Sequence, residues 1–115
     1  MNLRMTDQAG HQVTIALNDS NAAKDLVQQK PSQVRIENYS NDEKTFYPDK
    51  KLDLGNTPRA NAVVGTLGYF APWGDVCLFY RDFGPAGGLY DLGMATEGKE
   101  QISLLSGTTQ LEFFE

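Results

Sequence analysis

Histidine and cysteine are scarce in this sequence, which has one residue of each type among 115. A zinc site needs about three or four His, Cys or carboxylate ligands, and a serine or cysteine nucleophile needs a base at hydrogen-bonding distance. The one histidine, His11, lies between Gly10 and Gln12 in what the sequence predicts to be a solvent-exposed turn. We therefore expect no metal site, no cofactor and no catalytic residue.

Clustered positive charge and long apolar runs are also missing. The formal net charge is -5 at pH 7, which disfavours a nucleic-acid partner because such binding depends on clustered Lys and Arg. No segment approaches the roughly 18 apolar residues of a membrane span, and the amino terminus lacks the apolar stretch of a signal peptide. We expect a cytoplasmic protein with neither a nucleic-acid nor a membrane partner.

The single cysteine, Cys77, cannot form a disulfide within the chain. Its apolar neighbours Val76 and Leu78 predict a buried thiol, which is typical of proteins in a reducing cytoplasm.

Motifs that bind phosphate or perform acid-base chemistry are weak. The glycine-rich segments 65–68 and 84–88 lack the Lys and Ser/Thr ending of a phosphate-binding loop, so we interpret them as turns. The chain has 15 acidic residues, which places many carboxylates near one another by chance. We interpret the neighbouring acids as solvated surface: Asp42, Glu43, Asp49 and Asp53.

The composition is that of a globular protein, with 40% hydrophobic and 22% charged residues. A chain of this length builds one core, so we expect residues 1–115 to form a single domain.

In the first half, alternating apolar residues predict a β-hairpin over residues 3–17. Residues 18–21 can cap a helix that Pro31 ends near Gln29, and residues 34–47 predict a second hairpin.

The second half predicts two core strands, a long loop and a second short helix. The strands lie within residues 63–80 and are joined by a tight turn at Pro72–Asp75. The other predicted elements are a surface loop at 48–61, a mobile connection at 82–88, strands at 89–96 and 110–114, and a helix at 100–105 with Gly107 in the left-handed conformation after it.

Many short strands with two helices must avoid unpaired edges, and closing the sheet into a barrel removes them. We therefore predict a mainly β fold: a small closed β-barrel with two short α-helices that flank or plug its ends. A β-sandwich is the alternative.

Three segments carry a resemblance to the cyclophilin fold, in the same order along the chain. They are the capped helix Asp19–Leu26, the segment Gly65–Tyr80, and Leu92–Gly98 with the helix that follows. The chain resembles the compact bacterial cyclophilin-like family of unassigned function. Cyclophilins that isomerise peptidyl-prolyl bonds carry a Phe-His-Arg strand, a Gln-Gly-Gly-Asp-like segment and a later histidine, none of which occurs here. The resemblance therefore implies the fold and no catalytic residue.

Aromatic residues form the one cluster that suggests a site, and Arg35, Arg59 and Arg81 lie near the same segments. Because side chains alternate along a strand, half of the rings must point away from the barrel interior, where they can line a groove. The residues that we predict to line it are Arg59, Tyr69, Trp73 and Phe79.

The leading hypothesis is a binding module that takes a peptide or a small molecule in this aromatic groove. The alternative is a weak peptidyl-prolyl cis-trans isomerase that holds the twisted imide in an apolar slot beside one arginine donor. A third class is an enzyme of another reaction type that uses Tyr and a carboxylate. The ligand and the oligomeric state stay open.

Overall fold

The computed structural model describes residues 1–115 and consists mainly of antiparallel β-strands. An α-helix, α1 (Asn21–Gln29), follows the second strand, and a 3₁₀ helix (Lys99–Leu104) precedes the last strand. The strands are β1 (Asn2–Asp7), β2 (Gln12–Leu17), β3 (Gln33–Tyr39), β4 (Glu43–Phe46), β5 (Arg59–Ala62), β6 (Thr66–Phe70), β7 (Asp75–Phe79), β8 (Gly84–Glu97) and β9 (Gly107–Phe114).

Eight of the nine strands close into a barrel. Their hydrogen-bonded order is β2-β1-β9-β3-β4-β7-β6-β8, and β8 pairs again with β2. The remaining strand, β5, pairs with β8 outside this closed ring. Closure pairs each of the eight strands on both sides, so the predicted closed β-barrel is confirmed and the sandwich is wrong.

The interior of the barrel holds the larger hydrophobic core, a cluster of 20 buried residues. Side chains alternate along each strand, so Val76 and Leu78 of β7 belong to this interior cluster while Cys77 and Phe79 belong to a second, outer one. Both helices contribute buried residues to the interior core: Ala22, Ala23 and Leu26 from α1, and Ile102 from the 3₁₀ helix.

Helix α1 begins and ends where the sequence predicts. The Ser20 hydroxyl oxygen accepts a hydrogen bond from the Ala23 N–H at 3.2 Å, and Lys30 adopts a left-handed conformation before Pro31. The second predicted helix is a 3₁₀ helix, the tighter form that short segments favour, and Gly107 has the expected positive φ. Neither helix is long and apolar enough to cross a membrane.

Two predicted loops are shorter than expected. The loop predicted for 48–61 ends where β5 begins at Arg59, and the connection predicted as mobile at 82–88 contains the first residues of β8. Glycine and proline suggested turns there, but Pro85 pairs with Asn61 of β5. Proline is tolerated here because this first part of β8 pairs with β5 alone, and the pairing of β8 with β6 begins only at Leu89.

Candidate functional site

Strands β4, β7, β6 and β8 present a largely apolar outer face on one side of the barrel. The register pairs Glu43 with Phe79 and Phe70 with Asp75, so these residues share the outer face. The second hydrophobic cluster lies here, and β5 extends it through two alanines. Its five buried members are Ala60, Ala62, Cys77, Phe79 and Leu89.

A pocket of about 240 Å³ lies on this outer face. Its floor includes the buried Phe79 and Leu89, whereas three rim residues are exposed: Tyr39 by 48%, Trp73 by 51% and Phe83 by 44%. Five aromatic rings therefore surround a space that contains one carboxyl group, that of Glu43. The full lining is Tyr39, Glu43, Phe70, Trp73, Cys77, Phe79, Phe83, Ala86 and Leu89.

The turn between β6 and β7 positions Trp73 at the rim. The N–H groups of Trp73 and Gly74 both donate to the Phe70 carbonyl, at 3.2 and 2.8 Å, and Gly74 completes the turn at φ +69°. The indole then packs edge-to-face against Phe70, with ring centroids 5.4 Å apart, and against Tyr39 at 5.1 Å. Trp73 is thus held as one wall of the pocket.

Phe83 is a second exposed ring in the pocket lining. Its backbone N–H donates to the Ala62 carbonyl of β5 at 2.9 Å, which fixes the connection between β7 and β8. Its ring centroid lies 5.2 Å from that of Phe79. The outer strand β5 therefore helps to shape the pocket without lining it.

Glu43, Asp75 and Cys77 form a buried polar cluster beside the pocket, with side-chain oxygen and sulfur atoms within 4.8 Å of one another. The Cys77 thiol donates weakly to Asp75 Oδ1 at 3.7 Å. Burial raises the pKa of Glu43, a hydrogen bond with Cys77 opposes this rise, and the nearby Asp75 carboxyl adds to it. Burial likewise raises the pKa of Asp75 and of the Cys77 thiol.

This cluster is a poor match for a metal centre. Structural zinc sites use four ligands, whereas Glu43, Asp75 and Cys77 offer three. A metal-binding cysteine must lose its proton, and the raised pKa of the Cys77 thiol opposes that loss. With three candidate ligands and no histidine among them, we assign the cluster neither a metal nor a cofactor.

Comparison with known proteins identifies the family. The profile described as the Cyclophilin-like family matches residues 6–113. The chain belongs to the Cyclophilin-like family. No curated protein matches the sequence.

A solved structure shares the architecture of this Cyclophilin-like protein. The solution structure of the hypothetical protein AF2241 from Archaeoglobus fulgidus superimposes with a TM-score of 0.69. The alignment covers 97% of this chain and 93% of that chain at 16% sequence identity. At this identity the likeness shows the fold alone, so function must be argued from the site.

This Cyclophilin-like protein brings two of the four predicted site residues, Trp73 and Phe79, to the pocket. Tyr69 alternates with Phe70 along β6 and belongs to the interior core, where it is 1% exposed and its hydroxyl accepts a hydrogen bond from the Leu52 N–H at 3.2 Å. It therefore anchors the loop before β5 and does not line the pocket.

Arg59 also lies outside the pocket lining. It is an exposed residue of β5, and its guanidinium carbon lies 5.2 Å from the centre of the Tyr90 ring. The distance is typical of a cation–π contact, which gives Arg59 a partner on β8.

The interpretation of Glu43 as solvated surface is wrong, since it is 8% exposed and faces Phe79 across the β4–β7 pair. The sequence offered one signal for this position. Glu43 lies in a predicted strand, and side chains two residues apart in a strand, such as those of Glu43 and Thr45, point to the same face of the sheet. Tyr39 is the last residue of β3 and Phe83 lies in the connection between β7 and β8, and nothing in the sequence indicated that both line one pocket.

His11 lies in the turn between β1 and β2, as predicted, and its Nδ1 atom is 2.8 Å from Asp7 Oδ2. Burial would raise the pKa of Asp7, but hydrogen bonds from the His11 ring and backbone and from the Ser106 N–H together hold it below its ordinary value. His11 is a structural partner of Asp7 and is not part of the pocket.

Proposed function

We propose that this Cyclophilin-like protein is a binding module whose outer pocket takes a small molecule or one apolar side chain of a peptide. The observation that carries the proposal is the set of exposed aromatic rings, Tyr39, Trp73 and Phe83, around a buried apolar floor. Exposed apolar surface of this kind is costly to a folded chain and is typical of ligand sites.

The size of the pocket limits the ligand. A closed apolar cavity of about 150 Å³ accepts benzene. The outer pocket, at about 240 Å³, therefore suits one ring or one branched side chain rather than a long peptide. For a ligand of that size we expect a Kd on the order of 1 mM, or about -4 kcal/mol.

The isomerase hypothesis finds no support in the pocket. It required an arginine donor beside an apolar slot, and neither Arg59 nor Arg81 is among the lining residues. Tyr39 and Glu43 both line the pocket, as the third hypothesis would require, but no hydrogen bond joins them. We therefore propose binding and no reaction.

We also propose that residues 1–115 act as one domain in the cytoplasm. The free and buried thiol of Cys77 suits a reducing compartment. The family match over residues 6–113 supports a single folded unit.

Binding is tested with cyclohexanol, a neutral ring-sized probe, followed by NMR chemical shifts and by the fluorescence of Trp73, the only tryptophan. We expect saturable changes concentrated at the pocket. Trp73→Ala should weaken cyclohexanol binding roughly tenfold, because it removes one aromatic wall. Tyr47→Ala is the matched control, since Tyr47 is an exposed ring outside the pocket. Scattered shifts, absence of saturation, or an equal effect of both variants would overturn the proposal.

A further inference from the structure

Glu43 is the one polar residue of the pocket lining, and its carboxyl group has no conventional hydrogen-bond donor. It is more than nine-tenths buried, and no N–H or O–H group of the protein donates to it. Its polar neighbours are the Cys77 thiol, a weak donor, and the Asp75 carboxyl. The Glu43 carboxyl group is therefore an acceptor to which a ligand N–H can donate a stronger hydrogen bond than the thiol gives.

The charges around the pocket favour a cation over an anion. No Lys, Arg or His lines it, whereas Glu43 does, and the Asp75 carboxyl lies within 4.8 Å of the Glu43 carboxyl outside the lining. An anionic ligand would meet like charge without a counter-ion, whereas an ammonium group can donate directly to the Glu43 carboxylate.

The aromatic rings favour the same ligand. The faces of Trp, Tyr and Phe rings attract cations held within about 6 Å, most strongly when water is excluded. Five such rings and one carboxyl group in a single pocket therefore provide both an apolar wall for the ligand body and a negative partner for its charge.

We propose that the pocket selects small ligands that carry a protonated amine on an apolar ring-sized body, with the ammonium group at Glu43 and the body against the aromatic rings. This inference rests on the proposed function of the pocket. The narrow, unbranched side chain of a peptide lysine would leave most of the ring surface uncovered, so the occupant is a free small amine.

The ligand ammonium donates an N–H to the ionised Glu43 carboxylate, so amine binding requires this carboxyl group to have lost its proton to solvent. The other titratable groups that face Glu43 are Asp75 and Cys77 on β7, Asp42 in the adjoining turn and the Tyr39 hydroxyl on β3, and none of them is basic. Amine affinity should therefore rise with pH over the range in which Glu43 ionises, while the affinity for a neutral ligand stays constant.

The test compares cyclohexylamine, which is protonated near neutral pH, with cyclohexanol on the same folded protein. We expect the amine to bind roughly tenfold more tightly than the alcohol, as charge-assisted hydrogen bonds are stronger than neutral ones. Glu43→Gln should bring the amine and alcohol affinities together, because glutamine has the shape of the acid but carries no negative charge. Glu100→Gln is the matched control, because it makes the same change at an exposed site outside the pocket.

The outcomes separate the two proposals. If the alcohol binds at Trp73 but the amine shows no preference, or if the preference survives Glu43→Gln, the pocket is a binding site and this inference is wrong. If neither probe binds, both proposals are wrong. If N-acetyl-lysinamide binds more tightly than cyclohexylamine, the source of the ammonium group is a peptide, which contradicts the small-amine assignment.

Discussion

At the scale of single residues, Glu43 connects the stability of the barrel with its pocket. A carboxyl group whose pKa is raised in the folded protein holds its proton at pH values where the unfolded chain has already lost it. The folded state is therefore most favoured below the ordinary Glu pKa of 4.5, and this contribution is lost as pH rises through the raised value. Asp75 and Asp91, whose pKa values are also raised by burial, act in the same direction.

Glu43→Gln should remove one part of this pH dependence. Glutamine resembles the protonated acid in shape and cannot ionise, so we expect the variant to match the wild type near pH 4 and to be more stable by roughly 1 kcal/mol near pH 7. Chemical denaturation at a series of pH values measures the difference. Glu100→Gln makes the same substitution at an exposed site and serves as the control. A difference between Glu43→Gln and the wild type that is constant at all pH values would contradict the assignment.

At the scale of the structural elements, the pairing of β2 with β8 closes the barrel. Leu17 of β2 faces Gly93 of β8, and the two strands approach so closely that a Cβ atom at Gly93 would overlap the backbone carbonyl of Ala16. This contact is with backbone and not with a flexible side chain, so it cannot be relieved by a rotamer change. The absence of a side chain at Gly93 is thus a condition for closure.

Gly93→Ala should therefore destabilise the barrel by about 2 kcal/mol, the typical cost of overpacking a tight site. Gly87→Ala is the matched control in the same strand, because nothing lies within 4 Å of the added Cβ and Gly87 does not have a positive φ. The measurement is the urea concentration at the midpoint of unfolding, which we expect to be lower for Gly93→Ala than for Gly87→Ala. Equal midpoints for the two variants would mean that β2 and β8 are not in close contact.

At the scale of the whole molecule, the sequence predicted the closed barrel but not the outer strand β5, whose first residues fell within a predicted loop. The alternation in β1 and β2, the N-cap at Ser20 and the stop at Pro31 are local signals, and the structure follows them. The need to avoid unpaired edges then favoured a closed barrel. Each of these inferences depends on neighbouring residues or on a general constraint on sheets.

The candidate site was only half predictable because it depends on register between distant segments. Trp73 and Phe79 were found from the aromatic pattern, but a shift of one residue moves a side chain to the other face of a sheet. Because side chains alternate along β6, Tyr69 points into the barrel interior while its neighbour Phe70 lines the pocket. Glu43 was missed because its burial comes from pairing with Phe79, more than thirty residues away in the chain.

The central claim is that a ligand occupies the outer pocket, and intermolecular NOEs with bound cyclohexanol test it most directly. The account predicts NOEs from the cyclohexanol protons to the floor residues Phe79 and Leu89 and to the Trp73 indole. NOEs to residues on another face of the barrel, or none at saturating cyclohexanol, would contradict it.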